Sequence, residues 1–173
     1  ITAIEATGAK FGPHLNAHTN WHETIYKVHL PTNDRETIDK ALLILKDRAS
    51  GMLLEGEEID KERGVVLDEW RRRLGAGERM SQQTRPYLFG ERYTNRWTIG
   101  TEDSLKTFKH DAVRRFYKDW YRPELMAVAA VGDFDVELMV QKIQTAFKPL
   151  TNPEKTRALV QYEPERLDST KVL

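Results

Sequence analysis

Glu57-Glu58-Ile59-Asp60-Lys61-Glu62-Arg63-Gly64-Val65-Val66-Leu67-Asp68-Glu69-Trp70-Arg71-Arg72-Arg73 is the stretch on which the fold reading turns. It has no proline and only one glycine, so it predicts a helix. Glu62 and Glu69 lie two helical turns apart, so both carboxylates project from one face. Val65 falls between them on that face, with Val66 and Trp70 beside it. Carboxylates among apolar neighbours suit a cation ligand or a tuned acid/base pair. On spacing alone, the commoner use of such a pattern is a solvated charged helix, with Glu62 paired to Arg63 or Arg73. The rest of the chain decides between the two.

Upstream, Leu15–Thr19 and Thr24–Leu30 flank a tight connection at Asn20–Glu23. Thr24, Tyr26, Val28 and Leu30 alternate with Ile25, Lys27 and His29, the period of a strand with one buried face. The two segments predict an antiparallel hairpin ended by Pro31, and Phe11-Gly12-Pro13 before it predicts a turn. Ile1–Lys10 reads as a short mixed segment closed by Gly8. Asn33 or Asp34 is placed to cap a helix whose apolar stripe is Ile38, Ala41, Leu42, Leu45 and Ala49, stopped by Gly51.

Downstream, Gly75 and Gly77 interrupt the acidic helix. Glu78–Leu88 predicts helix, limited by Pro86. Gly90–Thr101 reads as a loop. Two helical pieces fill Thr101–Tyr121, the second with a packing face of Val113, Phe116, Tyr117 and Trp120. Leu125–Val131, an unbroken apolar run, predicts a buried central strand. Val136–Phe147 predicts a helix, Pro149–Lys155 a linker, and Leu159–Tyr162 the start of a further strand. Hairpin, helices, strand and helix in that order give an α+β fold, an antiparallel or mixed sheet covered by helices on one side. Residues 1–150 form the expected domain; 151–173 form a linker and the start of another.

The 173 residues carry 27 Lys+Arg and 27 Asp+Glu, a net charge of zero. That argues against a nucleic-acid or anionic-membrane binder. No run approaches the roughly 20 apolar residues of a membrane span. The chain has no cysteine, which removes disulfides and thiolate metal sites. Any metal must be held by His and carboxylates. His14, His18 and His22 would stack on a helix, but Gly12-Pro13, Asn16, Thr19 and Asn20 disfavour one. On a strand, residues four apart lie about 13 Å from each other, too far to chelate one ion.

Four motifs fall into a known order. Leu15-Asn16-Ala17-His18-Thr19 with Thr24-Ile25-Tyr26 resembles the Asn-Ala-x-Thr and Thr-x-Tyr strand pair of the pitrilysin/insulinase-like (M16-type) zinc peptidases, the inverted zincins. Glu62–Glu69 resembles their Glu-Arg-x-Val-x-x-x-Glu helix. Phe116–Pro123 and Ala129–Phe134 resemble their Phe-Tyr, Tyr-x-Pro and Val-Gly-Asp segments. The resemblance runs from about Phe11 to Leu150, and the bacterial periplasmic-type members are the most alike.

It implies a zinc metalloendopeptidase. Glu69 matches the third zinc ligand and Glu62 an auxiliary carboxylate. Asn16, Ala17, His18 and Thr19 match the edge strand on which an extended peptide substrate is laid by β-addition. The implied compartment is the periplasm, with the cytoplasm as the alternative. The chain departs from the pattern in one respect: it has no His-x-x-Glu-His, whose histidines supply two ligands and whose glutamate activates the attacking water.

The expectation is therefore a fragment of a zinc peptidase. Its active half would lie before Ile1, zinc would belong to the full-length parent, and the fragment itself would be zinc-free and inactive. Its partners would be a peptide substrate, the remaining domains of the parent, and further copies of itself through an exposed edge. The alternative is a non-catalytic peptide-binding or structural homologue of the same fold. An unrelated α+β binding domain is a third, more distant reading.

Overall fold

The computed structural model describes residues 14–163 and 169–170. The expectations for Ile1–Lys10 and Phe11–Pro13 lie outside the described residues. In chain order the elements are β1 (Leu15–Thr19), β2 (Thr24–Val28), α1 (Arg35–Ser50), α2 (Gly56–Arg72), α3 (Ala76–Thr94), α4 (Glu102–Thr107), α5 (His110–Trp120), a 3-10 turn at Pro123–Leu125, and α6 (Val136–Phe147). The fold is α+β, with one two-stranded antiparallel sheet among the described residues. These residues fall into two compact units: 14–19, 23–53 and 113–157 form the first, and 20–22, 54–112 and 158 onward form the second.

In the first unit, β1 and β2 pair in the register Leu15↔Val28, Asn16↔Lys27, Ala17↔Tyr26, His18↔Ile25 and Thr19↔Thr24. The far end is tied by a 3.0 Å bond between the Thr19 and Thr24 hydroxyls. Leu15 is the one buried residue of β1 and packs on Val28 and Ile44. Of the two sequence candidates, Asp34 caps α1, accepting from the Thr37 amide at 2.9 Å. Its carboxyl is lowered to about 2 by the Thr32 hydroxyl and then by Thr37. Gly51 ends the helix, its amide donating to Asp47. Ile38 and Leu42 of α1 meet Met139 of α6, with Leu30, Phe134, Ile143 and Phe147 around them. Burying each of these three side chains is worth about 1.5–3 kcal/mol. Asp135 caps α6 through the Leu138 amide at 2.8 Å.

The second unit is built on α2, α3 and α4. Thr101 and Ser104 form a reciprocal capping box at the start of α4, which is why so short a helix is defined at all. Trp21 sits among Phe89, Tyr93 and Trp97, with ring centroids 5.0–5.2 Å apart, and its indole N–H donates to the Tyr93 carbonyl at 3.1 Å. Edge and tilted aromatic contacts of this kind exceed their area burial by about 0.5–1.5 kcal/mol a pair.

Several expectations need correction. The run Leu125–Val131 is not a central strand. After the 3-10 turn it continues without ladder bonds, and Val131 is 98% exposed. Met126 and Val128 are half-buried while their neighbours Ala127 and Ala129 are exposed, so the backbone alternates as a strand would. What it lacks among the described residues is a neighbour to pair with, and pairing rather than apolarity defines a strand. Leu159–Tyr162 is likewise not a strand. Pro86 does not limit α3, since it removes one backbone donor in an exposed helix. The kink comes at Gly90, whose φ of 74° and ψ of 165° only glycine adopts freely. The helix resumes to Thr94, so the expected loop at Gly90–Thr101 shrinks to its second half. Phe116 is 58% exposed and does not join Val113, Tyr117 and Trp120 on the packing face of α5.

Candidate functional site

Glu62 and Glu69 stand on α2, in the second unit. At about 1.5 Å rise per residue they are separated by about 10 Å along the axis and only about 20° around it. They share a face but are too far apart to grip one ion together. Glu62 is exposed and has no ion pair among the described residues, and Val65 between them is 56% exposed. Glu69 is half-buried and forms an ion pair with Arg73 one turn on. The expected apolar surround is therefore partial: Val66 and Trp70 are half-buried and Val65 faces water.

The rotation of α2 is fixed from its other side. Ile59 is buried, and Arg63 is packed with 16% of its side chain exposed. Arg63 donates to the Leu105 carbonyl at 2.6 Å and the Phe108 carbonyl at 2.9 Å. Its guanidinium lies 3.8 Å from the Phe108 ring centroid. These carbonyls belong to the C-terminal turn of α4, where unpaired acceptors and the helix dipole both favour a cation. Asp60, one turn before, takes His110 Nε2 at 2.9 Å. That bond is the main cause of its lowered pKa. A Cβ at Gly56, at the start of α2, would come within 2.8 Å of His110 Nδ1, so a larger residue there would have to displace that ring.

The residue types of the zinc site implied by the resemblance are only partly present. Among the described residues no group of three or more His, Cys, Asp and Glu side chains is arranged to hold a metal. The donors on α2 amount to one carboxylate held by Arg73 and a second about 10 Å along the axis. A zinc ion needs at least three protein ligands, so these residues do not fit it by themselves.

Asn16, Ala17, His18 and Thr19 lie on β1, in the first unit, and all four are exposed. The His29 amide donates to His14 at 2.7 Å, which fixes the phase of the antiparallel ladder. Asn16 and His18 therefore bond to β2, while the backbone groups of Leu15, Ala17 and Thr19 face the outer edge. At that edge the Asn16 side-chain oxygen accepts from the Ala17 amide at 2.8 Å. A peptide adding to β1 would exchange that contact for its own carbonyl. His18 is on the strand and His22 in the connection between β1 and β2, where its ring meets Tyr93 edge-on at 5.6 Å.

Sequence reasoning missed two features. One is the Arg63 clamp, although Arg63 stands in the motif that was singled out. The other is a bond between the Tyr26 and Tyr121 hydroxyls at 2.7 Å, which joins two of the quoted motifs across 95 residues.

Comparison with known proteins follows the same lines. The family model described as insulinase (peptidase family M16) matches residues 2–85, and the one described as peptidase M16 inactive domain matches residues 107–172. The probable zinc protease PqqL of Escherichia coli (strain K12) is 37% identical over 136 residues, 78% of this chain and 15% of that protein. The zinc protease PQQL-like protein of Arabidopsis thaliana is 37% identical over 150 residues, 86% of this chain and 16% of that protein. The crystal structure of the first half of the periplasmic protease PqqL from Escherichia coli superposes with a TM-score of 0.85 at 33% identity, over 92% of this chain and 34% of that one. The chain thus spans 15–16% of the length of these curated relatives. No helix among the described residues is long and apolar enough to cross a membrane. With the two family models matching its first and second parts and one fold shared with PqqL, the chain belongs to the insulinase-type M16 peptidase family.

Proposed function

We propose that this chain serves as one segment of a zinc metalloendopeptidase, supplying the third zinc ligand and the strand that accepts substrate. Glu69 is the ligand, and Glu62 is an auxiliary carboxylate on the same face. Asn16, Ala17, His18 and Thr19 form the edge that takes an extended peptide by β-addition. The periplasm is the compartment, by analogy with the periplasmic PqqL. The observation that carries the reading is the order of elements: the α2 carboxylates follow an exposed hairpin edge within a fold that superposes on PqqL over 92% of this chain. The two histidines and the water-activating glutamate would come from sequence outside these 173 residues, along with the remaining domains.

The alternative is a non-catalytic peptide-binding homologue, which keeps the β1 edge and dispenses with the metal. The Glu69–Arg73 ion pair favours it, because an arginine already balances the carboxylate that a metal would need.

By itself the 173-residue chain neither holds zinc stoichiometrically nor cleaves peptides. The check is metal analysis after dialysis against micromolar zinc, together with a casein-cleavage assay. Stoichiometric zinc with zinc-dependent proteolysis would overturn the expectation.

The same chain is expected to self-associate. Leu53 at 82%, Met80 at 68%, Leu88 at 68% and Val131 at 98% exposure leave apolar surface uncovered. Among the described residues, the outer edge of β1 and the segment after Leu125 have no strand partner. Light scattering at increasing concentration should show dimers or larger species, and a strictly monomeric mass at high concentration counts against this.

A further inference from the structure

We propose that Tyr26 and Tyr121 are positioning residues for the peptide-accepting strand: their paired hydroxyls hold β1 at the angle that backbone recognition requires. The proposal rests on the reading of β1 as the substrate edge. Tyr26 stands directly opposite Ala17, whose backbone groups face the outer edge, which has no strand partner among the described residues. Its hydroxyl lies 2.7 Å from that of Tyr121, just beyond the end of α5. Tyr121 is itself fixed. Its amide donates to Tyr117 at 2.9 Å, and its ring packs on Tyr117 at 4.5 Å between centroids. Tyr117 donates its hydroxyl to the Arg48 carbonyl at 2.9 Å and accepts from the Met52 amide at 3.4 Å. It therefore spans the end of α1. The Arg48 guanidinium completes the ring of contacts, 5.2 Å from the Tyr26 ring centroid. Burial is the main reason the Tyr26 hydroxyl is pushed well above the usual range, followed by its bond to Tyr121.

The hairpin needs such a fixture. A two-stranded pair of five-residue strands is marginal in water. Leu15 anchors one end in the core, and the rest of β1 is exposed. The side chain that ties the middle of the pair to the helices is Tyr26. A peptide gripped by β-addition depends on donors and acceptors presented at about 2.9 Å and near-linear angles. Letting the middle of the hairpin drift would weaken the grip without touching any reacting group.

The test uses the whole 173-residue chain with Tyr26→Phe, Tyr121→Phe and both together. Hydrogen exchange at the inward amides of Asn16, His18, Ile25 and Lys27 reports the hairpin; that of α6 reports the unit at large. Each single change should speed hairpin exchange about fivefold, as for loss of one net hydrogen bond, and leave α6 within about twofold. The double change should be no worse than either single one, since the two hydroxyls act as a pair. Binding of a capped, fluorescently labelled Thr-Val-Thr-Val-Thr-Val peptide should weaken by a similar factor. Unchanged exchange, additive losses, or an equal rise in α6 would overturn the positioning role alone. Failure of the native chain to bind the peptide overturns the substrate reading of β1 and the positioning role with it.

Discussion

Replacing Glu78 with alanine is expected to destabilise the second unit by about 3 kcal/mol, the largest effect of any single exchange outside the apolar core. The reason is the state in which it leaves Arg85. That side chain is 7% exposed, with its ion-pair partner Glu78 at 2.6 Å and 21% exposed. The guanidinium carbon lies 3.6 Å from the Trp97 ring centroid, and Nε has no hydrogen-bond partner among the described residues. Without Glu78 a buried cation keeps its stack and loses its counter-ion. The fully exposed pairs of Lys61 with Glu57 and Glu58 show the contrast, because water screens them and their loss should pass almost unnoticed. Burial draws the Glu78 carboxyl up, but Arg85 and then Gln82 draw it down further, so it ends below the usual range. A depressed carboxyl stabilises the fold in full above its unfolded value, roughly pH 4.3, and loses that contribution as the pH falls through the lower folded value. Urea denaturation followed by tryptophan fluorescence measures this, since Trp21 and Trp97 sit in the same unit. Glu78→Gln, which keeps an acceptor and gives up the charge, should lose about half as much. A loss below about 1 kcal/mol for Glu78→Ala at neutral pH would sink the argument.

Where signals are local, the fold was legible in the residues. Asp34 before an i, i+3, i+4 apolar stripe and Gly51 after it mark α1, because cap and stripe lie within one short window. The bounds of α6, Val136–Phe147, were legible in the same way from its apolar face, while its Asp135 cap emerged only in the structure. What escaped depends on partners far along the chain. The apolarity of Leu125–Val131 states a preference for burial and cannot supply the strand that would pair with it. Arg85 and Arg122, at 5% and 3%, are more buried than Leu15 or Ile38, and no pattern in a single sequence separates such arginines from solvated ones. Arg122 is held by the Asp119 and Arg157 carbonyls, each at 2.8 Å, the second 35 residues away. At the candidate site the shared face of Glu62 and Glu69 was readable from the helical period alone. The fixture that turns that face was not, since Arg63 reads as one more charge on a charged helix.

Arg63→Met is expected to cost about 2–3 kcal/mol, second only to the loss of Glu78. Two hydrogen bonds from a charged donor disappear together, at 2.6 Å and 2.9 Å, and the contact with the Phe108 ring goes with them. The Leu105 and Phe108 carbonyls then have no cation at the end of α4, where the dipole most favours one. Methionine preserves much of the apolar stem, so the loss reports the guanidinium rather than the packing. Arg63→Lys tests the geometry. A single ammonium cannot span both carbonyls as the planar fork does, so lysine should recover less than half of the stability. Full recovery with lysine would mean that charge alone matters and that the fork does not set the rotation of α2. The consequence reaches the carboxylates, because Glu62 and Glu69 lie about 100–120° around the helix from Arg63. A helix free to roll about its axis would swing both carboxylates through the same angle. Amide exchange along 56–72 measures that directly. Arg63→Met should speed it more than it speeds exchange in α6, and equal acceleration in both would mean general loosening instead of a released clamp.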